Sequence, residues 1–236
     1  MRKLIEREGC RGFLGIPNRV VGMTIVPNMS RVLYYHRQSN FSRKIRILLD
    51  EKQIDCELHE IDLRNKPSYF LQISPLGKVP VFVDEDGTTI WDSSLIGEYI
   101  EEKYLKPKFY PTESRERLEC RKWEELADTL GEKIINLWIL NLTNKNNPTL
   151  YQSVLKKSID DLFPVFERQL VRTEYLLGNE TWSMADISAL CSFGYYDLRF
   201  NEDWKSDYPH LKNWFDRLHQ RKSVYSTVPK PIDRKK

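Results

Sequence analysis

Ser39 stands between a run rich in β-branched and aromatic residues, Arg31 to Tyr35 (RVLYY), and a run with helical spacing that begins near Ser42. A helix start leaves backbone N–H groups without intrahelical partners and carries the positive end of the peptide dipole. A thiolate placed there would gain from both, and from the serine hydroxyl. Free thiols titrate at roughly 8.5, and helix N-termini lower that value. In this reading Ser39 donates a hydrogen bond and is not itself the nucleophile. His36 is close in the sequence, but no third group is evident that would complete a triad around it. Simple capping of the helix by Ser39 or Ser42 accounts for the same residues equally well.

Three further short patterns could hold chemistry or only structure. Val79-Pro80 heads a strand candidate, where a proline has no N–H for the ladder. A cis bond there would turn the Val79 N–H and C=O toward a peptide-like ligand that pairs as an added strand does; an ordinary strand-starting proline is the alternative. Asp92-Ser93 precedes an apolar-periodic helix. Its free N–H groups and the serine hydroxyl could bind a carboxylate, or the pair could merely cap the helix. Ser183-Met184-Ala185-Asp186 has the S-x-x-D form of a capping box, and Asp186 reads as structural.

The elements that must position these residues follow from periodicity. Phe41, Ile45, Leu48 and Leu49 form the inner stripe of the first helix, with Arg43, Lys44, Arg46 and Asp50 facing outward. Cys56 to Ile61 alternates as a second strand. A short helix starts at Pro67 and is stopped by Ser74-Pro75-Leu76-Gly77. Val79 to Val83 and Thr88 to Trp91 form a hairpin about Asp84 to Gly87, and a helix runs on to about Tyr104. The order is β-α-β, α, then β-β-α. From Ser114 onward long helical patterns take over: one through Leu118, Trp123, Leu126, Leu130, Ile134, Leu137 and Trp138, one over Leu150 to Leu170 kinked at Pro164, and two over Ser183 to Phe200 and Pro209 to Arg221. The expected division is an arm at 1–30, an α/β domain at 31–104, a linker at 105–113, an all-α domain at 114–228 and a tail at 229–236. The patterned region begins directly after Met29, so the arm is either structural or upstream of a later start at Met23 or Met29.

Composition removes several classes. The chain has 236 residues, 40% apolar and 30% charged, with a net charge of +3. That can fill a core and is unlike a disordered chain. Acids interleave with the bases, so no nucleic-acid partner is implied. No apolar run approaches the ~20 residues of a membrane span, and residues 1–30 lack the layout of a secretory signal. Four scattered cysteines form no CxxC pair, which suits a reducing cytoplasm, and four scattered histidines give no metal signature.

Four segments taken together resemble the soluble, cytosolic-type glutathione transferases, serine-type and bacterial-like, over roughly Arg31 to Arg221: SNFSRKIRILL from Ser39, SPLGKVPVF from Ser74, WDSSLI from Trp91 and WSMADI from Trp182. The resemblance implies an α/β thioredoxin-like domain followed by an all-α domain. It implies glutathione as co-substrate, a small, mostly apolar electrophile, a role in detoxification and a homodimer. Ser39 matches the catalytic serine that hydrogen-bonds the glutathione sulfur. Val79, before Pro80, would pair with the cysteinyl backbone, Asp92 and Ser93 would hold the γ-glutamyl end, and Lys78 would lie near the glycyl carboxylate. The electrophile would sit against the helix from Ser114 to Asn141, with Arg115, Leu118, Glu119, Lys122 and Trp123 as candidate wall. Asn40 stands where many relatives carry proline, and its amide could alter the turn or reach the thiolate. Phe41 replaces the cysteine of isomerase-type relatives, and position 39 is not the cysteine of the mixed-disulfide branch. An isomerase, a dehalogenase or a non-catalytic binding protein on the same scaffold are the other readings.

Overall fold

The computed structural model describes residues 30–229 apart from Asn146, Asn179 and Asn201. The expected arm therefore lies outside the described residues except for Ser30, as does nearly all of the tail. The first strand, β1 (Val32–Tyr35), leads through a turn into α1 (Asn40–Glu51), followed by β2 (Glu57–Glu60), α2 (Ser68–Ile73), β3 (Val81–Val83), β4 (Thr89–Trp91) and α3 (Ser93–Lys103). The sheet order is β2-β1-β3-β4, with β1 parallel to β2 and antiparallel to β3. This is the thioredoxin-like arrangement: one parallel crossover through α1, and a hairpin closing the far edge.

Strand alternation sends successive side chains to opposite faces of the sheet. Leu33 and Phe82 enter the main core with Ile45, Ile96, Leu130 and Phe193. Tyr34, Val81 and Val79 face the other way, into a small cluster closed by Phe70 of α2. β2 is exposed along its whole length because it is an edge strand.

The helical half consists of α4 (Ser114–Thr143), α5 (Leu150–Asp160), α6 (Phe163–Leu170), α7 (Met184–Arg199), α8 (Pro209–Leu218) and the short α9 (Lys222–Tyr225). α4 and α7 pack along one another, and α1 lies against α7. The expected kinked helix over 150–170 is instead two helices. Pro164 falls in the first turn of α6, where a missing N–H breaks no intrahelical bond. Asp186 accepts from the Ser183 N–H at 2.9 Å, the Leu176 N–H at 3.0 Å and the Trp214 indole at 3.0 Å. Burial raises its carboxyl pKa, and these donors act against that rise. It is the structural tie the capping-box pattern suggested.

The outward placement of Arg43 and Lys44 is corrected: both are 1% exposed. Because the helical half covers α1, these two face protein on the side where an isolated domain would face water. Lys44 pairs with Glu124 at 2.5 Å and Asp128 at 2.8 Å, and Ser94 completes the group at 3.2 Å. Burial alone would lower the Lys44 ammonium, yet the Asp128 and Glu124 carboxylates hold it above its ordinary value. Arg43 instead donates to the Val224 carbonyl at 3.2 Å, and Gly194 leaves the room: a Cβ there would stand 2.6 Å from its Nη1. At the other end of α1, Lys52 meets Glu101 at 2.8 Å and the Tyr104 and Pro107 carbonyls at 2.7 Å each.

Candidate functional site

The turn after β1 is built by its own polar groups. The Ser39 N–H donates to the His36 carbonyl at 3.0 Å, and the Ser42 N–H donates to Ser39 Oγ at 3.1 Å. Ser39 is thus the N-cap of α1, as the simpler reading held. A capping hydroxyl uses one lone pair and keeps its proton. Among the described residues that proton has no acceptor. Capping and donation to a ligand are therefore compatible at this one residue.

Ser39 opens onto a cleft of about 1020 Å³ between the two halves. Its near wall is the turn from His36 to Ser39 and the loop Gly77-Lys78-Val79; its far wall carries Ile135, Trp138 and Ile139 of α4 and Tyr195 and Arg199 of α7. The loop is pinned by Ser74, whose Oγ accepts from the Lys78 N–H at 3.1 Å and donates to the Lys78 carbonyl at 2.8 Å. The Val79-Pro80 bond is cis. The Val79 N–H and C=O have no hydrogen-bond partner among the described residues, so one edge of peptide backbone faces the cleft unpaired. Lys78 is exposed, with Glu132 4.0 Å from its ammonium.

Pro80, Asp92 and Ser93 do not line this cleft. They lie together at the end of the hairpin, where the register Val81↔Trp91 sets Asp92 level with Pro80. Asp92 holds φ 75°, a left-handed backbone uncommon for a residue with a side chain. Its carboxylate accepts from the Ser94 N–H at 2.9 Å and the Leu95 N–H at 3.2 Å. That leaves the Ser93 N–H and hydroxyl without partners among the described residues, in a residue only 4% exposed.

Asn40 is placed otherwise than expected. Its side chain points away from the cleft into the packing of α1 on α4 and α7, where a Cβ on Gly131 would come within 2.2 Å of its Nδ2. It does not line the cleft. The His36 ring accepts the Gln38 N–H on Nδ1 at 3.2 Å and makes no hydrogen bond to Ser39 among the described residues. Burial lowers its pKa, and the nearby Arg199 and Arg37 act in the same direction. Burial also raises the Tyr195 hydroxyl above its ordinary pKa, and Arg199 acts against that rise.

The expected helix does form the far wall, but not through the expected residues. Arg115, Leu118, Glu119, Lys122 and Trp123 line no part of the cleft; Trp123 packs on Phe166 with ring centres 5.3 Å apart. The wall lies further along α4, at Ile135, Trp138 and Ile139. The sequence carries a signal for it, since these form an i, i+3, i+4 stripe beside the core stripe of Leu130, Ile134 and Leu137. Tyr195 and Arg199 reach the site only through the packing of α7 on α4. Among the described residues no group of histidine, cysteine, aspartate and glutamate could hold a metal ion, and no helix is long and apolar enough to cross a membrane.

Residues 33–108 match the glutathione S-transferase N-terminal domain, and residues 121–217 match the glutathione S-transferase C-terminal domain. The chain is 34% identical over 197 residues to an uncharacterized GST-like protein, YibF, of Escherichia coli (strain K12), covering 81% of this chain and 95% of that one. The chain belongs to the glutathione S-transferase family. Another member, the probable glutathione S-transferase parC of Nicotiana tabacum, is 30% identical over 81% of this chain and 86% of its own length. Among solved structures, a glutathione S-transferase of Methylobacillus flagellatus with glutathione bound superposes with a TM-score of 0.80 at 26% identity, over 85% of this chain and 100% of that one. The thioredoxin-like half followed by a helical half is thus the transferase architecture, and the cleft opens where those halves meet.

Proposed function

We propose that this chain is a serine-type glutathione transferase in which Ser39 steadies the thiolate that attacks a small, mostly apolar electrophile. The observation that carries the reading is the Ser39 hydroxyl: it caps α1, keeps its proton, and opens onto the cleft that also receives the unpaired Val79 backbone. Bound glutathione would supply the nucleophilic sulfur. Ser39 Oγ and the first-turn N–H groups of α1 would donate to it, which favours the thiolate without quenching it, since too strong a hydrogen bond would cost nucleophilicity. Val79 would pair with the cysteinyl backbone, as a strand pairs with an added neighbour. Ser93, freed by the Asp92 cap, would take the γ-glutamyl carboxylate on its N–H and hydroxyl, with Asp92 on the amine; Pro80 would fix the loop between them. Lys78 would lie near the glycyl carboxylate. Ile135, Trp138 and Ile139 would exclude water around the electrophile.

The domains are proposed to run 31–104 and 114–228, joined by 105–113. A homodimer in the cytoplasm fits this reading: Leu95 and Leu118 are 52% and 59% exposed, and the Arg117–Glu98 ion pair brings α3 and α4 together beside them. Calorimetric titration with glutathione, followed by conjugation of 1-chloro-2,4-dinitrobenzene, tests the reading. Binding and turnover are expected; no heat at millimolar glutathione would reject it.

A further inference from the structure

The far wall of the cleft sets Ile135, Trp138 and Ile139 beside Glu132, Asn136, Tyr195 and Arg199, and Arg199 is its one cation among the described residues. Arg199, the last residue of α7, sets its guanidinium carbon 3.9 Å from the Trp138 ring centre and 4.7 Å from that of Tyr195. Its Nη2 donates to Gln38 Oε1 at 3.2 Å. Each of these contacts is neutral, and among the described residues no carboxylate pairs with Arg199, while its Nε is buried without an acceptor.

A half-buried cation without a counter-charge costs free energy unless something pairs with it. Elsewhere that need is met for Lys44, Lys52 and Arg121, each of which holds a carboxylate, but not for Arg46, which lies over the Tyr35 ring with its buried Nε unpaired among the described residues. Arg43 has none, but it is enclosed by protein and satisfied by the Val224 carbonyl and Thr227. Arg199 differs from Arg43 and Arg46 in opening onto the cleft. Of the carboxylates that line the cleft, Glu132 is 60% exposed beside Lys78, Glu60 pairs with Arg37 and Asp62 accepts from the Arg64 N–H, and none of them pairs with Arg199.

We infer that Arg199 is a specificity-determining residue that takes a carboxylate carried by the electrophile. The inference rests on the proposed transferase reading and names its substrate class: small electrophiles with one carboxylate on an apolar frame. A guanidinium is planar and always charged, and its paired N–H groups match the two oxygens of a carboxylate. The rings of Trp138 and Tyr195 hold that plane in place before anything binds, which reduces the ordering cost of association. Arg199 is the single cation on the helical wall among the described residues, while Arg37, Arg64, Lys66 and Lys78 line the opposite side. Ile135 and Ile139 leave the rest of the electrophile in apolar contact.

Two electrophiles of nearly the same shape, one charged and one neutral, test this: 4-chloro-3,5-dinitrobenzoate and 4-chloro-3,5-dinitrobenzamide. In each reaction a sulfur–carbon bond forms, the carbon–chlorine bond breaks, chloride leaves with the bonding pair and the thiol proton passes to solvent. The wild-type protein is expected to favour the carboxylate in kcat/KM by about tenfold or more, mainly through KM, after correction for the uncatalysed rates. Arg199→Met should bring the ratio near one, and Arg199→Lys should restore part of it. Wild-type indifference to the charge overturns the inference. So does an Arg199→Met variant that keeps the preference, or one that loses both electrophiles equally, which would mean that Arg199 acts through Gln38 on the Ser39 turn. Glutathione titration of the same preparations separates the two levels: wild-type protein that binds no glutathione fails the transferase reading, whereas binding and conjugation without a charge preference fails only the role of Arg199.

Discussion

Lys44 and Arg199 both lie between the sheet-bearing half and the helical half, yet Lys44 is enclosed by Glu124, Asp128 and Ser94, whereas Arg199 meets a neutral amide and two aromatic rings. The seam around Lys44 balances its charges internally. Glu124 also accepts from Arg121 at 2.8 Å and from the Tyr110 hydroxyl at 2.9 Å, and stays below its ordinary pKa against burial. The cleft around Ser39 leaves groups open among the described residues: the Ser39 proton, the Val79 backbone and the Arg199 Nε. Charge paired within the protein joins the halves, and polar groups left without protein partners are available to ligands.

Breaking the seam should have the largest effect on stability. Lys44→Met leaves Asp128 without its cation and is expected to cost about 3 kcal/mol or more. Arg199→Met strands no carboxylate and should cost at most about 1 kcal/mol. Urea unfolding of both variants checks the contrast, and equal midpoints would abolish it.

The packing beneath the Ser39 turn gives the next effect. Gly131→Ala would drive a methyl group to 2.2 Å from Asn40 Nδ2 and 2.9 Å from Ser192 Oγ. A cost of about 1–3 kcal/mol is expected, by analogy with other overpacked sites. Asn40→Ala in the same chain should recover part of it, and a double-mutant cycle measures the coupling. Strict additivity would mean that Asn40 does not occupy that space.

A smaller effect concerns pH. Burial lowers His219 below its ordinary 6.5, as it does His36, with the Phe215 carbonyl 2.8 Å from His219 Nδ1 acting against it. Below that value the unfolded chain takes up protons that the folded chain resists, so stability is present above it and lost as pH falls through it. The thermal midpoint should drop between about pH 7.5 and about pH 5.5. His219→Gln should flatten part of that slope; an unchanged slope would remove His219 from it.

Much of this molecule could be read before its shape was known, and the exceptions share a cause. The strands, the Asp186 tie and the serine at the head of α1 follow from local pattern, because each is decided by neighbours in the sequence. Arg43 and Lys44 read as solvent-facing, since their partners Glu124, Asp128 and Val224 lie far along the chain. Asn40 read as a group near the thiolate for the same reason: Gly131 and Ser192 decide where it points. Trp123 reads as part of the wall because the apolar stripe of α4 does not show where α7 and the Ser39 turn approach it. Pro164 read as a kink because one proline inside a long pattern gives no sign whether the helix bends there or begins again.

The hydroxyl of Ser39 remains the centre of the account, and titration of the bound thiol tests it directly. Ultraviolet absorbance of the thiolate, followed against pH in the glutathione complex, is expected to show ionisation below the roughly 8.5 of a free thiol. In Ser39→Ala the midpoint should return toward that value and turnover should fall by about tenfold or more, while glutathione still binds. The same midpoint and the same turnover in both proteins would contradict the account.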